Sequence, residues 1–240
     1  MKNLIQSMLR PLGYELHDMR KIGRNPWRDL QILLQSVPAP VCFDVGAHRG
    51  ETLRGLLAKF PRAIIYAFEP DPENFAELQN VARPFPQASL QAMALGDCQQ
   101  QAKLQKTKFS MCNSLLAANQ NLNSTAHQKI GEVDITVTTL DLFCQEKKIE
   151  SLDLLKTDCQ GFDLRVLRGA EKMLSAGRIK VIQSESLFAP EYDGQGWSFE
   201  ILHFLSDLNY APVSFGEPMR NERHEVIWSD VIFKHRNFKP

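Results

Sequence analysis

Several things are missing from this chain, and each absence narrows its class. Five cysteines, Cys42, Cys98, Cys112, Cys144 and Cys159, are scattered through 240 residues with no C-x-x-C pair among them. An odd, unpatterned set offers no disulfide framework and suits free thiols in a reducing, cytoplasmic setting. Net charge is absent as well: Lys and Arg total 28 and Asp and Glu total 28. That balance argues against a nucleic-acid partner, which calls for a basic surface. No run of about 18 apolar residues occurs, so no membrane-spanning helix is expected. The first 24 residues mix Lys2, Arg10, Glu15, His17, Asp18, Arg20, Lys21 and Arg24 into short apolar stretches. They lack the apolar core and small-residue cleavage site of a signal peptide, and read instead as a helix packed on the rest of the protein.

What is present is a soluble, globular composition, 43% hydrophobic and 23% charged, long enough for one domain with a decoration. Residues 1–36 read as one or two helices, the second opening at Asn25-Pro26-Trp27 with proline early in the helix. Val37-Pro38-Ala39-Pro40 is a stiff connector. From Val41 onward short apolar strands alternate with helices. Strands are expected at 41–45, 63–68, 89–95, 152–157, 179–185, 211–215 and 227–233. Helices are expected at 51–59, 72–82, 141–146, 164–175 and 199–208. Two further strands, 102–109 and 133–138, flank a polar, Asn-rich stretch. This alternation predicts a mostly parallel α/β sheet covered on both faces, with ligands bound at the carboxyl ends of its strands.

The richest segment is F-D-V-G-A-H-R-G (43–50) followed by F-E-P (68–70). It reads as strand, glycine turn, helix, then a second strand ending in the carboxylate of Glu69. An acid there can accept hydrogen bonds from both hydroxyls of a ribose, and the glycine turn lets a cofactor approach the backbone. A dinucleotide fits poorly. Its fingerprint needs a glycine beside the pyrophosphate and a third for helix packing, whereas here Asp44 precedes Gly46 and would repel a pyrophosphate. A carboxylate in that position suits the ammonium of an amino-acid cofactor, so the details favour S-adenosylmethionine.

The chain resembles the FkbM-type family of S-adenosylmethionine-dependent methyltransferases. The resemblance rests on the two blocks above together with A-L-G-D (94–97), N-S-L-L (113–116), V-T-T-L-D (137–141), L-L-K-T-D-C-Q-G-F-D-L-R-V-L-R-G-A (154–170), E-Y-D-G-Q-G (191–196) and S-D-V-I-F (229–233). It spans about residues 41–234. His48 stands where the family often has Asn, and Gln160 where many members have Glu. The resemblance implies a Rossmann-like, seven-stranded, mostly parallel sheet whose last strand is antiparallel. A helical extension (1–40) then precedes a methyltransferase domain (41–240). It also implies transfer of a methyl group to a hydroxyl oxygen of a sugar, glycan or secondary metabolite. The N-terminal segment is left as either a cover over the site or a homo-oligomer contact.

The expected cofactor set is Asp44, Gly46, Ala47, His48, Gly50, Glu69, Pro70, Gly96, Asp97, Ser114 and Asp158. Resemblance places Asp97 against the adenine amino group. Asp158 and Glu185, at the ends of adjacent strands, are the expected catalytic pair, one orienting the acceptor and one taking its proton. Two such carboxylates can hold Mg²⁺, but nothing in the sequence completes a coordination set, so no metal is assigned. Tyr192 and Trp197 read as an acceptor-side aromatic pair able to stack on a sugar face. Two other readings stay open at this point: a non-catalytic cofactor- or glycan-binding module, and an NAD-dependent oxidoreductase.

Overall fold

In a computed structural model of the chain, the described residues are 2–12, 22–23, 25–122 and 124–240. The reading of Glu15, His17, Asp18, Arg20, Lys21 and Arg24 as helical lies outside them. The chain runs α1 (Lys2–Leu9), α2 (Pro26–Leu33), β1 (Val41–Val45), α3 (Glu51–Lys59), β2 (Ile64–Phe68), α4 (Pro72–Ala82) and β3 (Ala88–Gln91). Next come β4 (Ala94–Leu95), β5 (Gln100–Thr107), β6 (Lys129–Thr138), α5 (Leu140–Lys147), β7 (Leu152–Thr157), α6 (Asp163–Arg168) and α7 (Glu171–Ser175). The last elements are β8 (Ile179–Leu187), α8 (Ser198–Asp207), β9 (Tyr210–Phe215), β10 (Met219–Arg220) and β11 (Val226–His235).

The main sheet has the order β3-β2-β1-β7-β8-β11, with β9 and the two-residue β10 both paired to β11. Strands β3, β2, β1, β7 and β8 are parallel, and β11 runs antiparallel to β8 and β9. The result is the anticipated mostly parallel α/β sheet with an antiparallel final strand; the short β10 is an addition to it. No helix among the described residues is long and apolar enough to cross a membrane.

The core lies on both faces of the sheet, as continuous apolar strands require. On one face Phe43, Val45, Phe68 and Leu155 pack against Phe143, Val166, Leu174 and Ile201 of α5 to α8. On the other, Cys42, Ile65, Ala67 and Leu154 pack against Leu30 and Leu33 of α2, Leu53 and Leu56 of α3 and Leu78 of α4. The start of α2 follows its sequence closely: the Asn25 side chain accepts a hydrogen bond from the Arg28 amide at 3.0 Å, and Pro26 fills the first turn.

Two expected elements are broken. The strand read over 89–95 stops at Gln91, and Ala94–Leu95 leave the main sheet to pair with Val137–Thr138 of β6. Together with β5 they form a separate three-stranded sheet. The helix read over 164–175 divides at Gly169. Its α-carbon presses on the neighbouring chain, so that a Cβ there would lie 1.9 Å from the Gly96 carbonyl oxygen. Its own carbonyl accepts the Asp141 amide at 3.0 Å, which takes it out of the helical ladder.

Candidate active site

Strand register assembles the site. Phe68, Val45, Thr157 and Ser184 are successive partners across β2, β1, β7 and β8. One residue further along each strand come Glu69, Gly46, Asp158 and Glu185, and Glu185 is in turn opposite Asp230 of β11. A single row at the carboxyl edge thus carries four expected site residues. Three strand spacings separate its ends, roughly 14 Å. A cavity of about 330 Å³ opens over this row. Gly46, Ala47, His48, Glu69, Pro70, Ser114, Asp158 and Glu185 line it, with Ala94, Leu95, Leu104 and Leu115 on an apolar flank.

The loop after β1 is held to β2: the Gly46 and Ala47 amides both donate to the Phe68 carbonyl, at 3.0 and 2.9 Å. Gly46 is at φ +78, and a Cβ there would lie 2.0 Å from the Asp158 carbonyl oxygen, so only glycine fits. Glu69 is buried and accepts from the His48 and Asp71 amides, each at 2.8 Å. Burial is the main influence on its carboxyl, whose pKa is pushed up to about 7 against the pull of those two amides.

The excursion between β5 and β6 closes one side of the cavity. Asn113 donates to Asp71 at 2.7 Å while its own oxygen accepts the Thr107 amide at 2.8 Å. The His48 ring nitrogen Nε2 is 2.8 Å from Ser110 Oγ. Ser114 Oγ donates to the Gln160 carbonyl at 2.7 Å. Lys106 pairs with Glu73 at 2.7 Å. These contacts tie the excursion to the loop after β1, the start of α4 and the turn after β7.

At the other end, Lys156 is buried on β7 with its ammonium 3.4 Å from Asp44 and 3.3 Å from Asp158. Burial opposes its charge, but the two acids outweigh that and hold its pKa above the usual lysine value. Glu185 is 7% exposed. Burial first, then the neighbouring charges of Asp158, Asp163, Asp230 and Glu191, raise its carboxyl well above the ordinary range. Asp163, beneath the same turn, is pushed to about 7 by burial and by Asp158. Burial and like charge thus hold both carboxyls toward their protonated forms.

Four residues of the expected cofactor set sit elsewhere, as do the two expected acceptor-side aromatics. Asp44 is fully buried under the loop, does not line the cavity, and serves as the counter-charge of Lys156. It does not cap α3, whose cap position is Gly50 at φ +90. Gly50 faces α4, where a Cβ would come 2.9 Å from Val81. Gly96 packs against Gly169 as described above. Asp97 lines a separate shallow groove with Thr139, Asp141 and Arg168, because the departure of β4 from the main sheet carries it away. Tyr192 is buried, and its hydroxyl donates to Gln160 Oε1 at 2.7 Å, so it presents no face for a sugar. Trp197 stacks instead on the exposed Phe199.

The residues that sequence reasoning passed over are Gln160 in a structural role, Asp163 and Asp230. Only the register opposite Glu185 reveals Asp230. Among the described residues no group of three or more His, Cys, Asp or Glu side chains is spaced to hold a metal ion.

Comparison with known proteins agrees with this architecture. The family model described as the methyltransferase FkbM domain matches residues 44–212. The 2-O-methyltransferase NoeI of Sinorhizobium fredii is 25% identical over 205 residues, covering 80% of this chain and 84% of that protein. Methyltransferase 1 of Beauveria bassiana is 28% identical over 142 residues, 53% of this chain and 57% of that protein. Among solved structures, the methyltransferase FkbM from Methylobacillus flagellatus superposes with a TM-score of 0.53 at 16% identity. That match covers 82% of this chain but only 44% of that one. With a model match over well more than half of its length, and a sheet of the same class, the chain belongs to the FkbM methyltransferase family.

Proposed function

We propose that this protein uses S-adenosylmethionine to methylate a hydroxyl oxygen on a sugar, glycan or secondary metabolite. The observation that carries the reading is the single row at the sheet edge. A buried acid suited to a ribose stands at one end of one cavity and a proton-accepting carboxylate pair at the other. The residues fit the cofactor. Glu69 keeps free lone pairs for the ribose hydroxyls beyond the two amides it already accepts. The apolar flank of Ala94, Leu95, Leu104 and Leu115 suits the base. The Gly46 turn and Asp158 offer a carbonyl and a carboxylate to the ammonium of the amino-acid end.

When bound, the cofactor supplies an electrophilic methyl on a sulfonium. The chain then supplies proximity and orientation and a home for the proton that the acceptor hydroxyl must lose. Glu185 Oε, in its ionised form, takes that proton. Asp158, paired with Lys156 at 3.3 Å, holds the geometry. A hydroxyl acceptor is favoured over other atoms by this acidic lining and by the relation to a protein named as a 2-O-methyltransferase.

The test is a methyl-transfer assay with labelled S-adenosylmethionine and a panel of sugars, oligosaccharides and hydroxylated metabolites. Label in a hydroxyl-bearing product, lost by a factor of about 10² or more in Glu185→Gln, is the expected result. Transfer that is unaffected in Glu185→Gln would remove Glu185 as the base.

A further inference from the structure

Gln160 occupies a place that its residue type does not favour. Its backbone is at φ +52, followed by Gly161 at φ +86, and a non-glycine residue in the left-handed region is strained unless its surroundings fix it. The surroundings here do so. Its carbonyl accepts from Ser114 and its side-chain Oε1 from the Tyr192 hydroxyl, both at 2.7 Å. The turn aims the amide nitrogen into the cavity. Nε2 lies 3.1 Å from Asp158 Oδ1, and 3.1 and 3.3 Å from the two Glu185 oxygens.

An amide nitrogen carries two hydrogens, and a carboxylate only accepts. One side chain therefore serves both acids. The Tyr192 hydroxyl, donating to Oε1, fixes which end of the amide faces them. We propose that Gln160 is a positioning residue that holds Asp158 and Glu185 side by side through one amide nitrogen donating to both, with Tyr192 setting its orientation. This rests on the reading of Glu185 as the proton acceptor in methyl transfer. Without the donor between them, two acids at one cavity wall disfavour each other's charged form. With it, each carboxylate keeps one N–H donor, and the Glu185 oxygens stay facing the cavity. Among the described residues the charged and titratable groups facing the pair are Asp44 on β1, Lys156 on β7, Cys159 in the turn after it, Asp163 on α6, Asp230 on β11, Cys112 from the β5–β6 excursion, and Glu191 with Tyr192 after β8. Lys156 is the sole cation in that set, so the loss of a neutral donor is not readily compensated.

The test follows Glu185 directly and needs no acceptor. Protein labelled with ¹³C at the glutamate carboxyl carbon is titrated by NMR as wild type, Gln160→Met and Tyr192→Phe. Glu185→Gln identifies the Glu185 resonance. Removing both N–H donors in Gln160→Met is expected to raise the Glu185 midpoint by about one pH unit. Tyr192→Phe, a milder change that leaves the amide in place, is expected to raise it by less. A Glu185 midpoint equal to that of the wild type in both folded variants overturns this role of Gln160. Calorimetry of the wild type with S-adenosylmethionine separates the two claims: absent binding sinks the cofactor reading, whereas unmoved midpoints sink only the role of Gln160.

Discussion

Asp44 on β1 and Lys156 on β7 are paired across adjacent parallel strands, with 3.4 Å between carboxylate and ammonium. Among the described residues neither Asp44 oxygen has a hydrogen-bond partner. The acid is fully buried, and burial, opposed chiefly by Lys156, raises its pKa. The lysine is thus what permits a charged acid directly beneath the glycine turn. Lys156→Met should destabilise the protein by about 3–5 kcal/mol, since an uncompensated buried charge remains. The double variant Lys156→Met/Asp44→Asn should recover a large part of that. Urea unfolding of the three proteins at neutral pH checks both; a single-variant loss below about 1 kcal/mol would separate Asp44 from Lys156 energetically.

Glu69 gives a pH signature in the free protein. Its folded carboxyl titrates at about 7, above the value of 4.5 for an unperturbed glutamate. Between those values the folded state holds a proton that the unfolded chain has released, so stability falls as pH rises from about 4.5 to about 7. The contribution is of order 3 kcal/mol. In Glu69→Gln the fall should shrink, leaving the part due to the other carboxyls that burial raises, Asp44, Asp163 and Glu185 among them. Denaturant midpoints at about pH 5 and about pH 8 measure it. An undiminished fall in Glu69→Gln would contradict the assignment.

Two glycines with nearly equal φ should respond differently to alanine. Gly46 is at φ +78 and Gly194 at φ +75, but a Cβ at Gly46 meets the Asp158 carbonyl at 2.0 Å, whereas at Gly194 nothing lies within 4 Å. Gly194→Ala should cost about 1–2 kcal/mol, the backbone penalty alone. Gly46→Ala should cost more than that and also weaken cofactor binding, because the loop after β1 must shift. Equal losses in thermal unfolding would show that the close approach to Asp158 is not what demands glycine.

The β5–β6 excursion is tied down most directly through Asn113, which bridges Asp71 and the Thr107 amide. A hydrogen bond to a charged group contributes about 1.5–3 kcal/mol. Asn113→Ala should therefore loosen this side of the cavity and speed cofactor dissociation by about tenfold or more. Stopped-flow displacement of bound cofactor reads the rate; an unchanged rate in a folded variant would mean that the excursion does not retain the ligand.

The parts of the fold that sequence made legible are those whose pattern is local. Strands β1 and β7 and helices α3 and α4 coincide with their expected ranges, since apolar runs, the glycine turn before α3 and the proline at the start of α4 are local signals. The run at 89–95 was misleading. Its apolar stretch runs through to Leu95, yet Ala94–Leu95 pair with β6 instead of extending β3. The helix at 164–175 failed for a similar reason, because the constraint on Gly169 comes from Gly96, far away in sequence. In the site, Glu69, Gly46, Asp158 and Glu185 were readable as strand-end residues. The outlying position of Asp97 and the buried place of Tyr192 were not, because each depends on tertiary pairing. Gln160 shows the limit best: its residue type looks neutral, and its importance lies in a backbone angle and in two carboxylates brought beside it by different strands.

The most direct test of the account is calorimetric titration with S-adenosylmethionine of the wild-type protein and of Glu69→Ala. The account predicts saturable one-to-one binding to the wild type, weakened by about 1–3 kcal/mol in the variant, the scale of hydrogen bonds to a charged group. Equal affinity in a folded Glu69→Ala protein, or no binding to the wild type, would contradict it.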